Sequence, residues 1–271
     1  MTSTMPASAR PERIVSMNLC SDQLVMLLAD RERILSVSYL AADPQSSALA
    51  GDVAGITLNH GLAEEVLPME PDLILAGAFT TRPTVFLLRK LGYAVVELPV
   101  AEDLDGVRAN IRIVAGAIDE PERGEATIAA FDSKLRRRAP GSGPRPLAVL
   151  YWANGYTSGT ATLANAAVEA AGFRTLGREL GLTGTGQLPL ETLIAADPDI
   201  LIMGRKREGA ALANETFRHP ALRRAFAARS SVKMPDYLWV CGTPFVAEAI
   251  MRLSEVREGV QGARHRQTED R

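Results

Sequence analysis

The chain has 271 residues, of which 46% are hydrophobic and 23% are charged. Its 30 basic and 32 acidic residues leave a formal net charge of −2, so the sequence provides no strong positive field to recruit nucleic acid. The length suits one large domain or two lobes. The longest apolar runs, such as residues 24–29, are far shorter than a bilayer span.

The amino end and the cysteines bear on the compartment. The opening MTSTMPASARPER has no apolar segment of a signal peptide, so we expect either a cytoplasmic protein or a chain whose leader was removed. Cys20 and Cys241 are too few for a disulfide framework and form no C-x-x-C motif. They are either two separate small hydrophobic side chains or a bridge, which requires Cα atoms within about 7 Å.

Short apolar runs alternate with helical patterns, which predicts βα units with parallel sheets. Taken in chain order, the first half has predicted strands at residues 14–17, 35–37, 73–76 and 94–98. Predicted helices in this half cover residues 21–29, 61–67 and 83–91. We assign residues 13–100 to an amino-terminal α/β lobe.

A long helical segment follows this lobe. Apolar residues recur at spacings of three and four, which marks one face of a helix; they are Leu104, Val107, Ile111, Val114 and Ile118. Pro121 restarts the pattern, and RRRAPGSGPRP ends it with a Gly/Pro linker. We therefore predict a linking helix within residues 101–140, which would make a stiff joint.

The second half repeats the plan of the first and is assigned to a carboxyl-terminal lobe over residues 146–260. Strands are predicted at residues 147–152, 200–203 and 231–234, and helices at residues 162–171, 189–196 and 220–228. A last helix begins with Thr243 as N-cap and Pro244 at its first position. The tail over residues 261–271 is polar and is expected to fray.

One phrase occurs in both lobes. Residues 67–77 read LPMEPDLILAG and residues 194–204 read IAADPDILIMG. We interpret both as a helix that ends at proline, a strand buried on both faces, and a glycine that lets the chain turn. Chance recurrence within an α/β chain is the alternative interpretation.

The loops after the strands hold the candidate ligand-binding residues, because open α/β sheets bind ligands beyond the carboxyl ends of their strands. Both tryptophans and three of the five tyrosines lie at or just after the predicted strand ends, although aromatic side chains also pack loops. The candidates are Asn18, Cys20, Tyr39, His60, Arg82, Trp152, Tyr156, Arg205, Tyr237, Trp239 and Cys241.

The sequence contains no recognisable catalytic or metal-binding motif. Gly184-Thr185-Gly186 lacks the preceding strand and the third glycine of a dinucleotide fingerprint, and we find no phosphate loop or nucleophile elbow. Three histidines, one of them in the tail, do not predict a site for a bare metal ion. His60 is either a solvent-facing loop residue or a haem or metal ligand. We therefore predict no catalytic residues, no metal site and no resident cofactor.

Several segments resemble the class III periplasmic binding proteins, the solute receptors of ABC importers for iron–siderophores, haem and cobalamin. The order and spacing of the segments carry the resemblance from about residue 13 to residue 259; they read RIVSMNLCSDQLVMLLA, EEVLPMEPDLILAG, FLLRKLG, YWANGYTSGTATLANAAVEAAGF, LPLETLIAADPDILIMG and LWVCGTPFVAEAI. The resemblance implies two α/β lobes with parallel sheets joined by a long rigid helix. It also implies a ligand cleft between the lobes and periplasmic residence.

The chain departs from this family at its docking positions. Receptors of the family commonly offer one glutamate per lobe to arginines of the permease. The positions that match here are Arg82 and Val240. Docking to an ABC permease would then use other carboxylates, and the candidates are Glu64, Glu65 and Glu248.

The expected function is a monomeric, non-catalytic receptor for a ferric siderophore or a similar metal chelate. Aromatic side chains would form its walls, and Arg82 and Arg205 would pair with an anionic chelate. Cobalamin is the second candidate ligand, and haem, with His60 or a tyrosine as axial ligand, is the third. The alternative from another class is a two-lobed transferase, although we find no nucleophile–base pair at motif spacing.

Overall fold

The computed structural model describes residues 10–137, 143–204, 219–226 and 230–269. The chain divides into two compact units, each built on a sheet of parallel strands. The first unit comprises Met1–Val100 and Val107–Ala129, and the second comprises Ala101–Gly106 and Ala130–Arg271. The two-lobed α/β class expected from the sequence is confirmed.

The first unit contains a five-stranded sheet in the order β3-β2-β1-β4-β5, and every neighbouring pair is parallel. Its strands are β1 Ile14–Ser16, β2 Ile34–Ser38, β3 Thr57–Asn59, β4 Leu73–Gly77 and β5 Val95–Leu98. Its first three helices are α1 Leu19–Leu28, α2 Ala63–Val66 and α3 Arg82–Lys90. Every residue of β1 and β4 is buried, as expected for strands covered on both faces. The sequence did not predict β3.

The segment over residues 101–140 forms two helices, α4 Leu104–Ala117 and α5 Pro121–Arg137, where a single linking helix was predicted. Asp119 adopts a left-handed conformation, with φ of 61°, and the chain restarts at Pro121 as expected. The helices pack closely, because a Cβ on Gly124 would lie 2.5 Å from that of Ala115. Arg112 Nε also donates to Glu125 at 2.6 Å. The boundary between the units falls within α5.

The second unit contains a parallel sheet in the order β11-β10-β6-β8 and an antiparallel ribbon of β7 and β9. Its strands are β6 Leu147–Tyr151, β7 Tyr156–Ser158, β8 Arg174–Thr175, β9 Thr185–Gln187, β10 Ile200–Gly204 and β11 Ser230–Met234. Its helices are α6 Leu163–Ala170, α7 Leu176–Glu179, α8 Leu190–Ala195, α9 Pro220–Ala225 and α10 Val246–Glu269.

Helix α10 corrects one expectation. The polar tail was expected to fray from residue 261, yet the helix continues to Glu269. This stretch is rich in Gln, Arg and Glu, which are good helix formers, and it contains no proline. Within the described parts of the chain, no helix has both the length and the apolar character needed to cross a bilayer.

The repeated phrase has the same conformation in both units. Glu70 and Asp197, which precede the two prolines, are both left-handed, with φ of 44° and 52°. In the first unit, the carboxylate of Asp72 accepts hydrogen bonds from backbone N–H groups just before β1. In the second unit, Asp199 accepts from the N–H of Leu147 at 2.7 Å, at the start of β6. The aspartate of each phrase therefore ties its strand to the first strand of the same sheet.

The glycines that end the two phrases also share a role, but it differs from the predicted turn. Neither Gly77 nor Gly204 has positive φ. A Cβ on Gly77 would lie 2.6 Å from the side chain of Asn18, and one on Gly204 would lie 2.8 Å from the ring of Trp152. Each glycine leaves space for the side chain that follows the neighbouring central strand.

Candidate ligand-binding site

The carboxyl ends of the five parallel strands meet at one edge of the first sheet, here called the first carboxyl edge. Tyr39 follows β2, His60 follows β3, and Phe79 lies two residues beyond β4. The strand order reverses between β1 and β4, and such reversal points are where open α/β sheets bind ligands.

Asn18, a predicted ligand-binding residue, lies at this reversal point, where its amide is part of the framework. Its Oδ1 accepts a hydrogen bond from the N–H of Cys20 at 3.0 Å and so caps α1. Its side chain also fills the space above Gly77. Asn18 therefore fixes the start of α1 against the end of β4.

Tyr39 and His60 are brought together at the first carboxyl edge. Their rings stack with centroids 5.1 Å apart and planes inclined by 25°. His60 Nδ1 lies 2.8 Å from Glu65 Oε1, and the backbone N–H of His60 donates to Glu65 Oε2 at 2.6 Å. These bonds lower the pKa of Glu65. Because an ionised carboxylate only accepts hydrogen bonds, His60 carries its proton on Nδ1, and Nε2 is its basic nitrogen.

A layer of buried polar side chains supports this pair. Asn59 Nδ2 donates to the carbonyl of Ser16 and to Ser36 Oγ, both at 2.8 Å. Asn59 Oδ1 accepts from the N–H of Gly61 at 3.0 Å, which fixes the backbone on either side of His60. Sequence reasoning did not identify this layer. Its only signal is the occurrence of polar residues within short, otherwise apolar strands.

The exposed part of the first carboxyl edge is rich in apolar groups. Tyr39 is 50% exposed, Leu62 is 44% exposed and Phe79 is 87% exposed. Phe79 was not among the predicted site residues, although its position just after a buried strand could have identified it. Exposed apolar side chains at one edge of a sheet indicate a binding surface.

Arg82 is the first residue of α3, the helix that follows β4. The stacked Tyr39 and His60 instead follow β2 and β3, on the other side of the central strand β1. Arg82 lines a groove of about 570 Å³ beside the edge strand β5, together with Phe86 and the ion-paired Arg89 and Glu97. Phe86 is 70% exposed. This groove therefore places the guanidinium group of Arg82 beside the apolar surface of Phe86.

The second unit brings Trp152 and Tyr156 together at the end of β6. The N–H of Trp152 donates to the carbonyl of Tyr156 at 2.8 Å. The intervening turn uses left-handed Asn154 and Gly155, with φ of 58° and 73°. Tyr156 is 40% exposed, and Trp152 is partly exposed above Gly204. Both side chains can contact a ligand at this edge.

Other predicted residues of the second unit are less available. Trp239 is only 5% exposed and Cys241 is buried, so the predicted wall residue Trp239 offers little surface to a ligand. Asp236–Leu238 form a short 3-10 helix. Within it, the side chain of Tyr237 is only partly exposed to solvent. Arg205 lies outside the described residues.

The cysteines are also clarified. Neither Cys20 nor Cys241 is a free thiol, so the interpretation as two separate small hydrophobic side chains is wrong. The predicted ligand cleft between the lobes stays a prediction of the family resemblance.

We predict that Trp152→Ala weakens ligand binding with little loss of stability, because Trp152 is partly exposed at a strand end. The matched control is Trp239→Ala, which should cost about 3–5 kcal/mol of stability because Trp239 is buried. Thermal unfolding and ligand titration of both variants test this contrast. A large fall in melting temperature for Trp152→Ala, with unchanged affinity, would show that its ring is part of the core.

The chain is similar to known solute-binding proteins. A model described as "Periplasmic binding protein" matches residues 14–231. A cobalamin-binding protein of Halobacterium salinarum is 27% identical over 201 residues, which cover 72% of this chain and 54% of that protein. The chain thus spans about half the length of the curated relatives it matches.

Solved structures share the fold over nearly the whole chain. A periplasmic haem-binding protein from Pseudomonas aeruginosa has a TM-score of 0.71 at 23% identity and covers 91% of this chain and 92% of its own. A periplasmic vitamin B12 binding protein of Vibrio cholerae has a TM-score of 0.66 at 16% identity and covers 93% of this chain and 98% of its own. At these identities the likeness shows the fold.

Proposed function

Because the chain belongs to the periplasmic binding protein family, we propose that it is a solute-binding receptor for a corrinoid, a cobalt macrocycle of the cobalamin type. The receptor acts in the periplasm as a monomer and passes its ligand to the permease of an ABC importer. The observation that carries this choice of ligand is the Tyr39–His60–Glu65 arrangement at the first carboxyl edge.

The imidazole of His60 suits a metal that already has most of its ligands. Among the described residues, no group of three or more His, Cys, Asp or Glu could hold a bare metal ion. A metal bound in the plane of a macrocycle needs only one axial donor, and neutral imidazole is a good ligand for such metals. The carboxylate of Glu65 fixes the orientation of the ring, as outer carboxylates do at metal-binding histidines.

The surroundings of His60 suit a large and partly apolar ligand. Tyr39, Leu62 and Phe79 offer exposed apolar surface at the same edge, and binding sites for small molecules are mostly apolar with a few placed polar groups. The relative from Halobacterium salinarum, named as a cobalamin-binding protein, supports the same class of ligand. A ferric siderophore is the competing ligand. Of the two arginines predicted to pair with an anionic siderophore, Arg82 lies among the residues that the structure describes.

We predict that aquocobalamin binds with a shift of its visible absorption bands, because His60 Nε2 displaces the exchangeable water on cobalt. His60→Gln should abolish the shift and lower the affinity by about 100-fold, whereas Glu65→Gln should lower it by about 10-fold, within the range for outer residues of metal sites. The measurement is an absorbance titration of the purified protein. His219→Gln is the matched control, because His219 caps the short helix α9.

The same titration separates the competing ligands. Haemin binding that is lost in His60→Gln, with no response to aquocobalamin, would replace the corrinoid by haem. Tight binding of ferric enterobactin that weakens with salt and in Arg82→Gln would support an anionic siderophore, since the screening length is about 10 Å at 0.1 M salt. Corrinoid binding should change little with salt.

The proposal includes no chemical conversion of the ligand. The transferase alternative would require the bound compound to be recovered in altered form, so mass analysis of ligand released after incubation tests it. For docking to the permease, Glu65 is engaged by His60 and Glu248 pairs with Arg252. Of the three candidate carboxylates, we therefore place docking on the exposed Glu64.

A further inference from the structure

A buried carboxyl group lies behind the first carboxyl edge. Asp22, on α1, has no exposed surface, and no cation among the described residues affects its ionisation. Its Oδ1 accepts from the backbone N–H of Ser38 at 3.1 Å and its Oδ2 accepts from Ser38 Oγ at 2.5 Å. Ser38 is itself buried and ends β2. Both bonds therefore fix the residue that directly precedes Tyr39.

The groups around Asp22 are hydroxyls rather than charges. In the part of the chain that the structure describes, the groups that affect its ionisation are Ser16 of β1 and the side chain and N–H of Ser38 of β2. On its own helix, Ser21 is hydrogen-bonded to Ser16 at 2.7 Å. The ionisable groups at the first carboxyl edge include the exposed Tyr39 and the paired His60 and Glu65. A buried carboxylate without a cation is costly, so its presence calls for a role.

We propose that Asp22 is a positioning residue of the binding surface, which holds Tyr39 against His60 through Ser38 and links ligand affinity to the protonation of one buried carboxyl group. The geometry of this chain of contacts is independent of the ligand. Only the effect on affinity rests on the proposed function.

The direction of the effect follows from the hydrogen bonds. An ionised Asp22 accepts from both donors of Ser38, and bonds to an ionised acceptor are about twice as strong as neutral ones. A protonated Asp22 must place a proton on one oxygen, so that oxygen no longer accepts from the Ser38 hydroxyl. Burial raises the pKa of Asp22 to about 7, against the opposing effect of the Ser16 and Ser38 hydrogen bonds. Tyr39 should therefore be held most firmly above neutral pH.

The first test needs no ligand. In isotope-labelled protein, NMR between pH 5.5 and 8.5 should show the Asp22 carboxyl carbon, the Ser38 amide and the Tyr39 ring titrating with one common midpoint near 7. That midpoint should vanish from the Ser38 and Tyr39 signals in Asp22→Asn. In Ser38→Ala the Asp22 midpoint should rise, because one donor to the carboxylate is lost, and this variant keeps the test available if Asp22→Asn fails to fold.

Two NMR outcomes would contradict a positioning role for Asp22. If Tyr39 responds to pH only at the midpoint of His60, and equally in wild type and Asp22→Asn, then Asp22 does not position it. A Ser38→Ala variant with an unchanged Asp22 midpoint would overturn it as well.

The second test measures affinity for aquocobalamin at pH 6 and pH 8.5. It uses His60→Gln and His60→Gln/Asp22→Asn, so that the titration of His60 itself is removed. Binding should be about 3- to 10-fold tighter at the higher pH in the first variant, where tenfold corresponds to one pKa unit between free and bound states. It should be pH-independent in the second, and equal pH dependence in both would contradict the inference. Complete absence of corrinoid binding to wild type would reject the proposed function alone, since the NMR test stands without it.

Discussion

Asp22→Asn should remove most of the loss of stability that the wild-type protein shows between pH 5 and pH 8. Burial raises the folded-state pKa of Asp22 to about 7 from an ordinary value of 3.8, so the folded state holds its proton more tightly than the unfolded state. The stability contributed by this group is fully present below about pH 4 and is lost as the pH rises through 7. Between pH 5 and 8 the loss is about 2–3 kcal/mol, and the asparagine variant, which does not titrate, should lack it.

Urea denaturation at pH 5 and pH 8 measures this difference in the free energy of unfolding. The matched control is Asp52→Asn, which removes the same charge from an exposed position and should keep the wild-type pH dependence. If Asp22→Asn and Asp52→Asn both follow the wild type, the buried carboxyl group is not the source of the pH dependence. A carboxylate that destabilises the fold at neutral pH while it holds Tyr39 would be a cost tolerated for function.

The repeated phrase shows which parts of the fold were predictable from the sequence. Apolar run length, proline and spacing identified both strands and the shared step, because these depend on local conformation and on burial. The role of Gly77 and Gly204 was not predictable in the same way. Each leaves space for a side chain that is distant in sequence, Asn18 or Trp152, and a single sequence does not reveal which side chain approaches a glycine.

The candidate site likewise contains residues that the sequence predicted and residues that it did not. Tyr39 and His60 were predicted because each directly follows a strand, and parallel strands bring such positions to one edge. Glu65 was considered only for docking, and its hydrogen bonds to His60 depend on the loop conformation that Asn59 fixes. The burial of Trp239 was not predictable, because the sequence shows that an aromatic residue lies near a strand end but not whether packing covers it.

The buried polar layer could not be derived from sequence patterns at all. In the sequence, Asp22 lies between the polar residues Ser21 and Gln23 in the first turn of α1, so it resembles an ordinary polar position on an exposed face. Only the approach of α1 to the end of β2 turns it into the acceptor for Ser38. A buried carboxyl group can be recognised only from the groups packed around it. For Asp22 these groups lie on three separate elements, α1, β1 and β2.

Gly177→Ala should destabilise the protein by about 3 kcal/mol, the upper end of the range of about 1–3 kcal/mol for core overpacking and forced backbone shifts. Gly177 lies in α7 against the end of β7, and a Cβ at this position would be 2.0 Å from the carbonyl oxygen of Ser158. That oxygen belongs to the backbone, so no side-chain rotation can relieve the clash and β7 itself must move. Because Tyr156 begins β7, the same displacement should weaken ligand binding at the second unit.

The matched control is Gly116→Ala in α4, where a Cβ would meet no atom within 4 Å. Alanine is favoured over glycine within helices by about 0.5–1 kcal/mol, so this variant should be slightly more stable than the wild type. Urea denaturation of the two variants gives free energies of opposite sign relative to wild type, and ligand titration should show a loss only for Gly177→Ala. Equal stability of the two variants would mean that α7 and β7 are not packed as closely as the approach of Gly177 to Ser158 requires.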